Sequence, residues 1–287
     1  STGFHSSGVA LYQVVATFTD EAKTSLLDVK TIENADISLL GYVGESTVTR
    51  YSGLVAYDGE GGALDPDQAT MVDQTLTTTS SFDLRGNSLE TRTVKSYYVP
   101  GEGLVFAEAQ GISTGDSYDI HNRAQASIIR SYTDATFVTF KKQMQSIAYG
   151  SYDKFGNVLS QTIDTYTSLD PDQDFQVDHK LIESTYSDPV AQRRGNATQT
   201  VTTRSDKDAN LIDRSTTDTT EFNAMGYAVD QVTTTEVYSS GAFVYTEKSV
   251  IHNSSIDNRG DAETQTIKSY ITDDNGATYD IVTYQVL

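Results

Sequence analysis

The chain has 287 residues, 40 acidic against 20 basic, a formal net charge of -20 and no cysteine. That balance argues against nucleic acid, whose phosphates it would repel, and the missing thiols exclude disulfides and thiolate metal sites. No stretch reaches the roughly 18 to 20 apolar residues of a membrane-spanning helix, and an apolar fraction of 37% without Trp is thin for a thick, dry core.

Strand-forming residues dominate: 39 Thr, 18 Tyr and 10 Phe stand beside many Val and Ile, side chains that suit a pleated, half-buried surface. Four times an aromatic residue, three turn-prone positions and a glycine precede a Thr-rich run: Phe4 to Gly8, Phe82 to Gly86, Tyr152 to Gly156 and Phe222 to Gly226. The glycines are 78, 70 and 70 residues apart. A fixed period of this kind marks an array in which each unit takes nearly the same backbone. A second signature falls between the first ones, at Gly41, Asn122, Gly195 and Gly260, so each unit is two half-units of two strands. The expectation is all-β: an extended antiparallel meander, or a superhelical sheet or solenoid, of four units over 4–81, 82–151, 152–221 and 222–287, forming one array over 1–287.

In chain order, the first strand of each unit follows the turn glycine. Counting from it, Leu11, Leu89, Leu159 and Val229 share a mildly apolar face with Val15, Thr93, Ile163 and Thr233, because side chains alternate with period two. The opposite face carries Tyr12, Glu90, Ser160 and Asp230 and is mostly wet. Second strands are expected at 25–30, 104–109, 175–180 and 243–248. Residues 20–30 alone could pass for an amphipathic helix, but their three counterparts cannot, so they read as a turn and a strand. Third strands fall near 46–51, 125–132, 197–204 and 262–271, and fourth strands near 70–81, 136–149, 211–221 and 279–285. The connections at 83–87 and 153–157 have the chemistry of type I turns closed by a left-handed glycine. Short turns force antiparallel neighbours. Two longer loops, 52–69 and 168–174, are the first places to look for a ligand at a tip.

Tyr152-Asp-Lys-Phe-Gly-Asn-Val-Leu159 resembles the YD repeat of RHS-type bacterial proteins, and Phe82-Asp-Leu-Arg-Gly-Asn-Ser-Leu89 is similar. The units here are longer and Thr-rich, closer to the tandem arrays of very long bacterial surface proteins. The resemblance implies an extracellular, structural or adhesive role and carries over no catalytic residue.

Nothing in the sequence forms a catalytic constellation, and no cofactor is implied. The four histidines (His5, His121, His179, His252) show no metal-ligand spacing, and no Gly-x-Ser-x-Gly elbow occurs. Acid-rich turns with Asp65, Asp67, Asp170, Asp172 and Asp174 carry the oxygen ligands Ca²⁺ takes, without a full calcium-loop pattern. Asn196-Ala-Thr198 and Asn253-Ser-Ser255 are formal glycosylation sequons. The recurring Phe4, Phe82, Tyr152 and Phe222, with Gly8, Gly86, Gly156 and Gly226, are expected to set turns and stack between units. Aromatics at strand ends could also line a sugar-binding face, making surface glycans a second class of partner.

The sequence opens without a leader-like segment, as a mature form or excised piece would, and it ends where the next turn motif would begin. The expectation is a self-associating extracellular filament or fibre subunit joined head to tail, without nucleic acid, membrane insertion or enzymatic activity. Alternatives are a segment of a giant adhesin binding through its long loops, and an RHS-like shell or propeller.

Overall fold

The computed structural model describes residues 1–18, 26–52, 70–256 and 260–287. It is all-β, with seventeen strands and every described ladder antiparallel. The chain divides into two compact units, Ser1–Met144 and Gln145–Leu287. The first holds β1 (Thr2–Phe4), β2 (Ala10–Phe18), β3 (Leu26–Ile37), β4 (Val43–Ser52), β5 (Thr70–Phe82), β6 (Ser88–Val99), β7 (Gly103–Ser113) and β8 (Ala126–Tyr132). The boundary falls inside β9 (Phe140–Tyr152). The second holds β10 (Val158–Tyr166), β11 (Gln176–Thr185), β12 (Gln199–Ser205), β13 (Leu211–Phe222), β14 (Ala228–Ser239), β15 (Ala242–Ile256), β16 (Ala262–Ile271) and β17 (Asp280–Val286). Within each unit successive strands pair, so each is an up-and-down meander.

All sixteen expected strands are present, and β1 adds a short seventeenth. The strand expected from residue 136 begins at Phe140 because Asp134 gathers the chain into a turn, accepting from the N–H groups of Thr136 at 2.9 Å and Thr139 at 2.6 Å. The helix-like stretch at 20–30 enters a strand at Leu26; the turn expected before it and the loop at 53–69 lie outside the described residues.

One element was not anticipated. A short helix, α1 (Pro189–Arg193), is capped by Asp188, whose Oδ1 accepts from Val190 N at 2.9 Å and Ala191 N at 2.7 Å. Pro stands in its first turn and Gly195, at φ +81°, follows its end. A carboxylate cap, an early proline and a left-handed glycine are the ordinary punctuation of a helix. A three-residue 3₁₀ turn, Gln173–Phe175, precedes β11.

The strands do not alternate between buried and exposed residues as a two-layer sandwich would require. Most of β13, β14 and β16 is half-buried at every position. The expected contrast between an apolar and a wet face is correspondingly weak: Leu11 and Val15 are 41% and 43% exposed, while Tyr12 opposite them is half-buried. Val29 and Met144 are the largest fully buried side chains among the described residues. Cohesion therefore rests on cross-strand pairs more than on a core.

Those pairs reveal a period longer than 70 residues. In the first repeat, one row across the sheet reads Val15, Lys30, Arg50, Asp73, Tyr97. In the third it reads Ile163, Lys180, Arg204, Asp213, Val237. The second and fourth repeats instead place Thr93, Gln110, Ser131 and Thr233, Ser249, Ser269, Thr283 in that row. Lys30 and Arg50 are like charges directly opposed, an arrangement that costs stability; Asp73 offsets it by pairing with Arg50, as Asp213 does with Arg204. Each compact unit thus contains one charged repeat and one hydroxyl-bearing repeat.

Candidate functional site: a ladder of turns and a groove beside it

The turns that mark the period share one construction. At 83–87, Asp83 N–H donates to Asn87 O at 2.9 Å and Gly86 N–H to Asp83 O at 3.1 Å. The same two bonds close 5–9, 38–42, 119–123, 153–157, 206–210 and 223–227. The left-handed position is Gly8, Gly41, Gly86, Asn122, Gly156, Ala209 and Gly226 in turn, with φ between +61° and +90°. Glycine enters that region without the steric penalty a Cβ brings.

The first residue of most of these turns pins them from its side chain. Asp153 Oδ1 accepts from Phe155 N at 2.8 Å and Asn157 N at 2.9 Å, and Oδ2 accepts from Asn157 Nδ2 at 2.8 Å. Asp83, Asp119 and Asp206 do the same, and Asn223 does it with its amide oxygen. A carboxylate accepting several N–H bonds is held ionised. Asp206 is lowered below its ordinary range mainly by the Asn210 side chain and backbone. Partial desolvation works against ionisation at Asp119, yet the Arg123 backbone and guanidinium bonds outweigh it and bring that group to about 2. Asp83 and Asp153 are likewise lowered against desolvation, chiefly by Asn87 and Asn157. Outside this set, Asp274 is held at about 2, first by the Thr278 hydroxyl.

Within each unit the turns stack on one another at half-unit spacing. At Gly41, Gly86, Gly195 and Gly260 the residue after the preceding left-handed position covers the glycine, whereas over Gly226 the cover is the α1 backbone, Ala191 N at 2.8 Å from a Cβ there. Val9 Cγ2 would lie 3.4 Å from a Cβ at Gly41, Tyr42 Cε1 2.5 Å from one at Gly86, Asn157 Oδ1 3.3 Å from one at Gly195 and Tyr227 Cε1 2.6 Å from one at Gly260. Asn87 Nδ2 donates to Asn122 Oδ1 at 3.1 Å, and Asn196 Nδ2 to Gly226 O at 2.8 Å. Further bonds tie the steps together: Arg85 Nη1 to Asp119 O at 2.7 Å, and Gln192 Nε2 to Asp153 Oδ2 at 2.9 Å.

The aromatic residues of the motif have differing partners. The Phe82 ring meets that of Tyr42 at 5.3 Å, and Tyr152 meets Tyr149 at 6.2 Å. Neither partner is the equivalent aromatic of another repeat, which is where stacking was expected. Phe4 is 63% exposed. Phe222 lines a groove of about 400 Å³ on the second unit, shared with Ser184, Tyr186, Asn196, Thr200, Thr217, Thr219, Tyr227, Gln231 and Asn253 among others.

The proposed calcium ligands are not brought together. Asp170, Asp172 and Asp174 lie exposed along the β10–β11 connection, and among the described residues no three His, Asp or Glu converge as a metal would need; Asp65 and Asp67 lie outside those residues. His179 and His252 each meet a carboxylate across a ladder, Asp164 and Asp230, at 2.6 Å, and His5 meets Ser7 Oγ at 2.8 Å. The sequon asparagines use their side-chain nitrogens internally: Asn253 Nδ2 donates to Ala228 O at 3.1 Å, as Asn196 Nδ2 does to Gly226 O. Among the described residues no helix is long and apolar enough to cross a membrane.

The turn motifs do not reveal the Arg214–Glu236 pair, which lies on β13 and β14, the strands that also carry Thr217, Thr219 and Gln231 of the groove. Its guanidinium bonds run from Nε to Oε2 at 2.6 Å and from Nη2 to Oε1 at 2.9 Å, with Glu236 buried. The fold defines the class of protein, an antiparallel β-repeat array. No family model and no curated protein matches the chain.

Proposed function

We propose that the chain is a structural repeat protein of the cell exterior, a subunit of a filament or surface fibre whose copies join by β-strand pairing. The observation that carries this reading is a pair of strand edges, one on β17 and one on β2, that pairing within their own units leaves wholly or partly open. Within its unit β17 pairs with β16 and with no other described strand, and all its residues are exposed, Ile281, Val282, Tyr284 and Val286 each by more than half. It contains no Lys or Pro to block pairing. Within its unit β2 pairs with β3 along Tyr12 to Phe18, while β1 reaches it only at Ala10 and Tyr12.

The internal repeats supply the template for joining such edges. At β5–β6 and β13–β14 the fourth strand of one repeat lies on the first strand of the next, with Thr77 opposite Thr93 and Thr217 opposite Thr233. β17 is a fourth strand by the same count, since Thr283 occupies the place of Asp213, and β2 is a first strand. Laid on the template, Leu287 falls opposite Val15, Val286 opposite Ala16 and Gln285 opposite Thr17. An edge of this kind that repeats without closing builds an open polymer through main-chain hydrogen bonds. The resemblance of the turn motifs to the repeats of bacterial surface proteins supports an exterior setting. Negative-stain microscopy and light scattering on purified chain should show linear assemblies whose length grows with concentration; a monomer at every concentration would refute the reading.

A further inference from the structure

We infer that the groove on the second unit is a binding site for a neutral oligosaccharide, with the Phe222 ring as the platform on which a sugar ring is seated. The internal repeat shows how this groove differs from its counterpart in the first unit. In the first unit the residue after the left-handed glycine is Tyr42, and its ring lies over Phe82, 5.3 Å between centroids and 32° from parallel. In the second unit the residue after Gly195 is Asn196 and Phe222 stands where Phe82 stood, while the space over Gly226 is filled by the backbone of α1, Ala191 N lying 2.8 Å from a Cβ there. The shorter amide donates to Gly226 O at 2.8 Å, and Phe222 lines a groove of about 400 Å³ together with Tyr186 and Tyr227. That volume lies within the range of small-ligand sites. A flat six-membered ring is what the fold itself places on the equivalent aromatic.

The lining chemistry selects the ligand. Among the described residues none of the fourteen that line the groove is charged, although 21% of the chain is Asp, Glu, Lys or Arg. The walls offer three aromatic rings, amides and hydroxyls. Gln231 donates Nε2 to Thr219 Oγ1 at 3.3 Å and Asn196 gives Nδ2 to Gly226 O, so these two amides are oriented by their nitrogens and keep their carbonyl oxygens as acceptors, whereas Asn253 Oδ1 already accepts from Gln265 Nε2 at 2.8 Å. Such an array matches a ligand that is rich in hydroxyl donors, has apolar C–H faces and carries no charge. Two of the rings are braced. Tyr227 accepts from Arg194 Nη1 at 2.8 Å under a guanidinium 4.4 Å from its centroid, and Tyr186 OH donates to Val158 O at 3.4 Å. The site shares no residue with β2 or β17, so its failure would leave the assembly reading intact.

The test is isothermal titration of the whole chain with neutral hexasaccharides (gluco-, xylo-, manno-, galacto- and N-acetylglucosamine series) and with hexagalacturonate as the charged counterpart. At least one neutral series should bind in the micromolar to millimolar range, and hexagalacturonate should bind at least about tenfold more weakly. Asn196→Tyr puts a bulky ring on the groove wall in place of a short amide and should abolish binding while keeping the β-sheet circular dichroism spectrum. Should that variant not fold, Gln231→Ala should lower affinity about tenfold through loss of one oriented acceptor. No binding by any neutral series, equal binding of hexagalacturonate, or undiminished binding by a folded Asn196→Tyr variant would each overturn the assignment.

Discussion

Tyr42 occupies the space above Gly86. Its Cε1 lies 2.5 Å from where a Cβ at that position would stand, and the same ring packs on Phe82 at 5.3 Å. One side chain thereby locks two successive turns of the ladder, and the glycine is required twice, for its φ of +88° and for the room it leaves.

These two requirements separate experimentally. Gly156 has φ +90° and nothing within 4 Å of its missing Cβ. Gly156→Ala should cost about 1–2 kcal/mol from backbone strain alone. Gly86→Ala should cost about 1 kcal/mol more, because the Tyr42 ring must move off Phe82. In a Tyr42→Ala background that excess should vanish. Denaturant unfolding of the four variants measures it; equal costs at the two glycines would deny the interlock.

The turn carboxylates set the acid limit of the fold. Asp83, Asp119, Asp134, Asp153, Asp206 and Asp274 all have folded-state values below their ordinary range. A depressed carboxylate stabilises the fold above its unfolded value of about 4 and loses that contribution as pH falls through the folded value. The melting temperature should therefore hold above pH 4 and drop from there toward about 2, the level of Asp119 and Asp274. Asn223 performs the same two backbone contacts without titrating. Asp153→Asn should accordingly keep its turn and flatten part of the acid dependence, as thermal melts at stepped pH would show.

The Arg214–Glu236 pair should be asymmetric. Glu236 is 5% exposed whereas the Arg214 side chain is 37% exposed and stacks on Phe243 at 4.4 Å. Arg214→Met strands a buried carboxylate and should cost about 2–3 kcal/mol, the partial exposure of the guanidinium keeping it below a fully buried case. Glu236→Gln leaves a cation that water can reach and should cost about 1 kcal/mol. Equilibrium unfolding of the two variants gives the comparison, and the reverse order would contradict the burial argument.

The parts of this fold that were legible in sequence are those fixed by neighbouring residues. Asp153 and Gly156 write a turn because the carboxylate reaches N–H groups two and four residues on, and glycine alone enters the left-handed region freely. The strands follow from Thr-rich runs between such turns. What escaped depends on partners distant in sequence. The pairing of charged and hydroxyl repeats appears only when register sets Lys30 against Arg50 and Asp73. Asp188, Pro189 and Gly195 did spell a helix, but at five residues α1 was too short to show a stripe. The groove differs from the first unit by Asn196 in place of Tyr42 after the left-handed glycine, which the sequence displays, and by the α1 backbone over Gly226, which it does not.

The absence of cysteine from the chain allows strand joining between copies to be read directly. The template places Ala16 of one copy opposite Val286 of another, and Cα atoms opposed across an antiparallel pair stand about 4.5–5.5 Å apart, within disulfide reach. The Ala16→Cys, Val286→Cys double variant, oxidised and run without reductant, should give a ladder of dimers, trimers and longer species, while each single variant gives none beyond a dimer. A double variant that stays monomeric, whether unlinked or closed on itself, would contradict assembly through β17 and β2.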